Sequence, residues 1–172
     1  MLFTWATVYG CASVLEWALH RHLMHDSNTR LGKFHLAHHA ETLQDMSLRG
    51  DESPYLSAQE WRGTGFSWRM TRRLLVPIVT LALAVGWLLD DVGVAVCATS
   101  ILFAYSLAAW NAIHPALHGM PRPPLSYGPS LPLWIPWQAY LLRHHTRHHL
   151  THGRSNFNIT LPGADVVFGT LA

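Results

Sequence analysis

The chemistry in this sequence is carried by histidine. There are 13 histidines among 172 residues, and ten of them fall into four groups whose spacings suit a metal ion. The groups are His20 and His25; His35, His38 and His39; His114 and His118; and His145, His148 and His149. Imidazole is the commonest metal-binding side chain. Two groups share the pattern HxxHH. On an α-helix, positions i, i+3 and i+4 lie toward one face, so each HxxHH is expected to bring three imidazoles to a common point. His114 and His118 share a face if the helix continues through Pro115, where the missing N–H would kink it and leave room for a site. His20 and His25 fit less well. At about 100° per residue they fall roughly 140° apart, and need a bent helix end or separate ions to take part.

Ten imidazoles exceed what one ion needs, since a structural zinc takes four ligands and a catalytic zinc three plus water. They suit two ions with about five protein ligands each. All-nitrogen donors favour iron, zinc, copper or nickel over magnesium or calcium, which prefer oxygen. A solitary histidine is more often a hydrogen-bonded core or interface residue; the repetition of the groups is what carries the metal reading. His22, His144 and His152 are expected outside the ligand set, although His144 and His145 could exchange roles within HHTRHH.

The elements that hold these groups are apolar. Hydrophobic residues make up 49% of the chain and charged residues 13%, about half the usual share, which favours a membrane protein and excludes a disordered chain. A net charge of +2 on so apolar a chain argues against nucleic acid as a partner. Cys11 and Cys97 both sit in apolar runs and read as small buried residues, not as a disulfide or cluster framework. Three stretches approach the length of a spanning helix: about Leu2–Leu19, Leu74–Leu89 and Val92–Trp110. The first lacks a basic leader and a cleavage site, which argues against a removable signal. The second is short and contains Pro77, consistent with local thinning or a shallow hairpin. Asp90-Asp91 forms the turn between the second and third. Leu131–Leu142, with Pro132, Pro136, Trp134, Trp137 and Tyr140, suits the membrane interface or a re-entrant segment.

Arg62, Arg69, Arg72 and Arg73 precede the second stretch, and Arg122, Arg143, Arg147 and Arg154 follow the third. The positive-inside rule places both flanks, and with them every histidine, in the cytoplasm. The expected fold is therefore all-α: one domain over residues 1–172, with about three transmembrane helices, an interfacial helix and a cytosolic histidine-rich cap.

The four boxes, LHRHLMHD at 19–26, FHLAHHAET at 34–42, HPALH at 114–118 and HHTRHH at 144–149, resemble those of the fatty acid hydroxylase and sterol desaturase superfamily of integral-membrane di-iron oxygenases. The tail SNFNITLPGADVVFGT at 155–170 is similar to that family's NFGVTxPLWDxxFGT, with Asn156, Phe157, Thr160, Pro162, Asp165, Phe168, Gly169 and Thr170 in register. The bacterial beta-carotene hydroxylases are similar in size and first two boxes, and form the alternative. The resemblance implies O2-dependent hydroxylation, or desaturation, of a C–H bond in a lipid chain or sterol at two iron ions. Zinc could occupy such a site in purified protein, but it has no redox chemistry for C–H cleavage.

On this reading His20, His25, His35, His38, His39, His114, His118, His145, His148 and His149 are the metal ligands, with no separate catalytic acid or base. Asp165 is the carboxylate expected to hold an outer imidazole N–H. Glu16, Asp26, Glu41 and Asp45 read as solvated charges or helix caps. Asn156 reads equally as a substrate contact or a turn residue. No flavin, nicotinamide or iron–sulfur fingerprint is present, so electrons are expected from a separate ferredoxin or haem protein with its reductase. Arg143, Arg147 and Arg154 could receive that carrier or bind lipid phosphate. The absence of further domains or a retention signal leads to the expectation of a bacterial inner membrane. A metal transporter or sensor is the competing non-enzyme reading; it would place polar ligands near mid-membrane, where these apolar stretches have almost none.

Overall fold

The computed structural model describes residues 1–42, 44–46, 68–114, 118 and 134–172. Pro115, Pro132, Arg62 and Arg122 lie outside the described residues. Among the described residues the fold is helical, with no strand. The helices are α1 (Leu2–Ala18), α2 (Arg30–Glu41), α3 (Trp68–Leu88), α4 (Val92–Ala108), α5 (Trp134–Leu150) and the single turn α6 (Ala164–Val167). Two of them do not stop where their α-geometry does: α1 continues as a π-helix over Leu19–Met24, and α4 as another over Ala109–Ile113.

Residues Thr71–Leu88 and Val92–Asn111 form two helices long and apolar enough to cross a membrane. The Asp90-Asp91 turn joins them. Asp90 takes a positive φ of 50°, and Gly86 lets the start of α4 approach α3, because a Cβ there would lie 2.6 Å from the Cα of Val92. Thr4 donates to the Asp91 carboxylate at 2.8 Å, fixing the start of α1 beside this turn. α1 therefore runs alongside α4 in the same direction. Val8, Val85, Ala95 and Ala98 form the buried contact between the three helices, with Trp5, Leu81 and Leu102 around them. Alanines at positions 95 and 98 let the backbones pack closely. The far ends of α1 and α4, opposite the acidic turn, are the ends that carry histidine.

Several expectations change. α3 is one helix of 21 residues running through Pro77, neither short nor a shallow hairpin. The apolar lead from residue 134 and the fourth histidine box form one helix, α5, with Pro136 in its first turn, where a missing N–H costs nothing. Cys97 is exposed on α4, not buried.

The largest revision concerns Glu16, read from sequence as a solvated charge or cap. Its carboxylate accepts from Thr160 N–H, Thr160 Oγ1 and Leu161 N–H, each at 2.8 Å, and from Asn158 Nδ2 at 3.4 Å. An irregular segment lacks the internal pairing of a helix, so its N–H groups need outside acceptors. Glu16 supplies them and clamps the tail to α1. Ser13 adds two bonds, accepting from Ala164 N–H and donating to the Leu161 carbonyl. We expect Glu16→Ala to destabilise the fold by about 1–3 kcal/mol for each backbone donor left unpaired. Glu16→Gln should rescue only in part, because its amide turns an NH2 toward donors. Unfolding in detergent micelles, followed by circular dichroism, measures both.

Candidate metal centre

α2 starts at Thr29, whose hydroxyl caps Gly32 N–H at 2.8 Å, and it ends where Thr42 donates to the carbonyls of His38 and His39. Gly32 is needed because a Cβ there would meet the Asp26 carbonyl. Asp26 itself shapes the preceding turn, accepting from Asn28 N–H at 2.9 Å.

The ten histidines gather into two groups of five. One holds His20, His25, His35, His39 and His148; the other holds His38, His114, His118, His145 and His149. Within each group the nearest ligand nitrogens lie within 4.8 Å of one another. The HxxHH boxes do not deliver three imidazoles to one point. Each box divides: His35 and His39 turn to the first group and His38 to the second, while His145 and His149 turn to the second and His148 to the first. Helical geometry explains the division. Positions i and i+4 differ by about 40°, whereas i+3 lies about 60° to the other side of i, so i pairs with i+4 and i+3 diverges. The boxes on α2 and α5 thus each bridge the two groups, and His39 stacks on His149 with ring centroids 4.2 Å apart.

The π-helix resolves the misfit of His20 and His25. Its i→i+5 turn is wider than the α turn, which brings residues five apart toward one face. Their ring centroids lie 5.2 Å apart. The second π segment, Ala109–Ile113, ends immediately before His114.

In the first group the Nε2 atoms approach at 2.9 Å (His20–His35), 3.1 Å (His35–His39), 3.1 Å (His39–His148) and 3.3 Å (His25–His148). In the second, Nε2 of His145 lies 2.9 Å from His114, 2.9 Å from His118 and 3.1 Å from His149. Several outer nitrogens are committed elsewhere. His20 Nδ1 donates to the Phe157 carbonyl and His148 Nδ1 to that of Ser155, both at 2.6 Å, and His118 Nδ1 donates to Met46 at 2.8 Å. A carbonyl can only accept, so these rings carry their proton on Nδ1 and point a lone pair inward. Among the described residues His38 has no hydrogen-bond partner for either nitrogen, although it is fully buried. Converging lone pairs and an orphaned buried nitrogen fit a cation bound at each group. Donor separations of 2.9–3.3 Å are also the edges expected for nitrogens about 2.0–2.1 Å from one metal.

Burial sets the protonation state. Desolvation lowers His25 and His118 to about 4 and His148 to about 3. Desolvation and then neighbouring imidazoles hold His20, His35, His38 and His145 well below their ordinary value of 6.5. The groups are thus neutral at pH 7, as ligands must be.

Asp165 stands one step further out than expected. It touches none of the ten imidazoles; its carboxylate accepts from His144 Nε2 at 3.2 Å, Phe157 N–H at 2.9 Å, Asn158 N–H at 2.7 Å and Thr170 Oγ1 at 2.6 Å. Burial pushes this carboxyl up, but those donors outweigh it and hold it below its ordinary value. Asp165 thereby fixes the loop whose Phe157 carbonyl orients His20. His144 is buried outside both groups, and His22 and His152 are exposed. Asn156 donates to the His144 carbonyl at 3.2 Å, a role within the loop. Gly153 was missed: a Cβ there would lie 2.1 Å from the His25 ring, and its φ is 69°. A glycine just beyond the last histidine box was the available signal.

An apolar cavity of about 110 Å³ adjoins the first group. Its walls come from α1, α3 and α4, including Ala12, Ile78, Leu102 and Phe103, with His20 and Trp110 at the histidine end and Thr160 and Leu161 from the tail.

Compared with known protein families, curated proteins and solved structures, the chain matches none.

Elemental analysis of purified protein should find two metal ions per chain, one for each group. His20→Ala/His35→Ala should retain about one, and so should His114→Ala/His118→Ala. Between the unfolded value of 6.5 and the folded values near 3–4, the unfolded chain binds protons that the fold refuses, so stability falls as pH falls through that window. Metal release and loss of thermal stability should both set in below about pH 6.

Proposed function

We propose that this chain is an O2-dependent hydroxylase of a membrane lipid, with two iron ions held by the two histidine groups. The observation that carries the reading is the join between the first group and the apolar cavity: His20 belongs to both. A metal store or sensor needs no apolar cavity beside its ligands. The ligands also gather at one end of the apolar helices, whereas a transport path would distribute polar groups through their middle. The resemblance of the boxes and tail to the fatty acid hydroxylase and sterol desaturase superfamily supports the same conclusion.

In this reading α1, α3 and α4 each cross the bilayer, the acidic turn lies outside, and the histidine end faces the cytoplasm beside Arg72 and Arg73. An acyl or sterol chain enters the cavity laterally from lipid. Ala12, Leu102 and Phe103 exclude water and align the chain, and Trp110 and His20 present its end to the centre. Phe157 and Ser155 carbonyls hold His20 and His148 in the tautomer that leaves Nε2 free. Iron bound there supplies the redox chemistry that an unactivated C–H bond requires. One oxygen atom enters the C–H bond and the other leaves as water, so two electrons and two protons come from a separate carrier and solvent. Arg143, Arg147 and Arg154 are exposed at the histidine end and offer an acidic carrier a landing surface.

Lipid mass spectrometry under isotopically labelled O2 tests the reading, comparing wild type with His148→Ala/His149→Ala in the presence of a ferredoxin and its reductase. A lipid that gains label only with wild type is the expected result; loss of two hydrogens without label would make the enzyme a desaturase. No lipid change with iron bound and electrons supplied would overturn the oxygenase reading for the lipids tested. A cavity-filling Ala12→Trp should lower lipid oxidation by more than about tenfold while both metals remain bound.

A further inference from the structure

The tail offers something neither the histidines nor the cavity explains. Val166, Val167 and Phe168 are consecutive apolar residues, and they are 66%, 76% and 44% exposed. Their segment doubles back along α1: Ala164 sits against Ser13 in the middle of the helix, and Phe168 stacks on Trp17 with ring centroids 4.2 Å apart, nearer the histidine end. Tyr9 Oη donates to the Pro162 carbonyl at 2.7 Å, Ser13 Oγ to the Leu161 carbonyl at 2.7 Å, and Ala164 N–H to Ser13 Oγ at 3.0 Å. His20 marks the end of the spanning stretch, because its ring sits 5.9 Å from that of Trp110, near the close of the apolar window Val92–Asn111. At 1.5 Å per residue, Ser13 lies about 10 Å and Tyr9 about 16 Å below that level. The headgroup zone is only about 5–8 Å deep on each side of the hydrocarbon.

We infer that the tail from about Ile159 to Phe168 is a re-entrant segment, dipping beside α1 into the hydrocarbon of the bilayer, with Val166 and Val167 facing lipid. The inference rests on the membrane topology proposed above. Irregular backbone survives at that depth only where protein satisfies its polar groups. Most of the tail's N–H groups meet this demand. Thr160 and Leu161 N–H go to Glu16, Ala164 N–H to Ser13, and Asp165 N–H to Asn158 Oδ1 at 2.9 Å. Val166, Val167 and Phe168 N–H close the α6 turn onto Gly163 and Ala164. Pro162 has no N–H to satisfy. Glu16, the single charge of α1's apolar stretch, is then explained as the acceptor that makes re-entry possible, and its own charge meets four donors. The occupant of the exposed face is hydrocarbon, because Ala164 and Phe168, which flank it, pack on Ser13 and Trp17 of the same apolar helix whose own Val14 is exposed.

The test is nitroxide accessibility in liposomes of phosphatidylcholine and phosphatidylglycerol, on full-length chain carrying Cys11→Ala and Cys97→Ala. Labels go on Val167→Cys, on Ile101→Cys as the spanning reference, and on Ser27→Cys as the aqueous reference; Val166→Cys replaces Val167→Cys if that variant does not fold. Collisions with dissolved oxygen report lipid, and collisions with a water-soluble nickel chelate report water. The expected result is that Val167 and Ile101 favour oxygen while Ser27 favours nickel. Val167 in water with Ile101 in lipid would overturn the re-entrant tail and leave the spanning helices standing. Val167 shielded from both reagents would place it under protein, and would also overturn the inference. Ile101 in water would bring down the topology itself, and the inference with it.

Discussion

The interaction on which this structure turns is unfavourable as it stands. Neutral imidazoles direct Nε2 lone pairs at one another across about 3 Å, as His20, His118 and His148 must when their Nδ1 protons are committed to carbonyls. Protonating them would pair some of those lone pairs, but burial lowers the imidazoles and makes that costly. A cation at each focus satisfies every inward lone pair together. The two groups could thus hold a metal ion each, and the surrounding elements can be read as supports for a geometry that would otherwise push itself apart.

Those supports come from distant parts of the chain. α2 and α5 each send histidines into both groups, so neither group can form until both helices have docked. The Phe157 and Ser155 carbonyls come from the tail, and the tail is held by Asp165 within itself and by Glu16 on α1. Removing Glu16 would therefore reach His20 through the loop without touching a ligand. The π segment at Leu19–Met24 brings His20 and His25 together, and the second likewise sits where an apolar helix passes into a histidine box. π turns are rare, and they occur mostly where a site needs a residue that α-geometry would turn away.

The ten clustered histidines, the apolar helices and the acidic turn could be read from residue type and spacing, because side-chain chemistry and hydropathy are local properties. What could not be read was geometry that depends on contact. His20 and His25 looked mismatched because the spacing argument assumed 3.6 residues per turn, and a π segment has no composition of its own to announce it. The HxxHH boxes looked like tripods because sharing a broad face was equated with sharing a point; only the opposing helix decides which side of that face each ring serves. Glu16 and Asp165 were carboxylates with several possible roles, and their partners lie 144 and 7 residues away in the bonds that decide between them. Gly153 owes its role to His25, which approaches from the other end of the chain.

For the lipid oxidation proposed above, the position of the centre at the end of the apolar helices answers two demands that pull in opposite directions. Lipid chains and neutral imidazoles both favour a dry setting, while protons, electrons and the metals themselves arrive from water. Deep in the span, ten imidazoles would be dry but cut off; on an exposed surface they would be reachable but would titrate near 6.5 and lose metal on mild acidification. At the boundary the burial is divided. His20, His35, His38 and His145 are fully enclosed, while His39 and His149, the stacked pair where the groups meet, are partly open. The enclosed side adjoins the apolar cavity at His20. In the proposed reaction a lipid chain would reach the pair of groups through the enclosed side at His20, and protons and electrons through the partly open rings of His39 and His149.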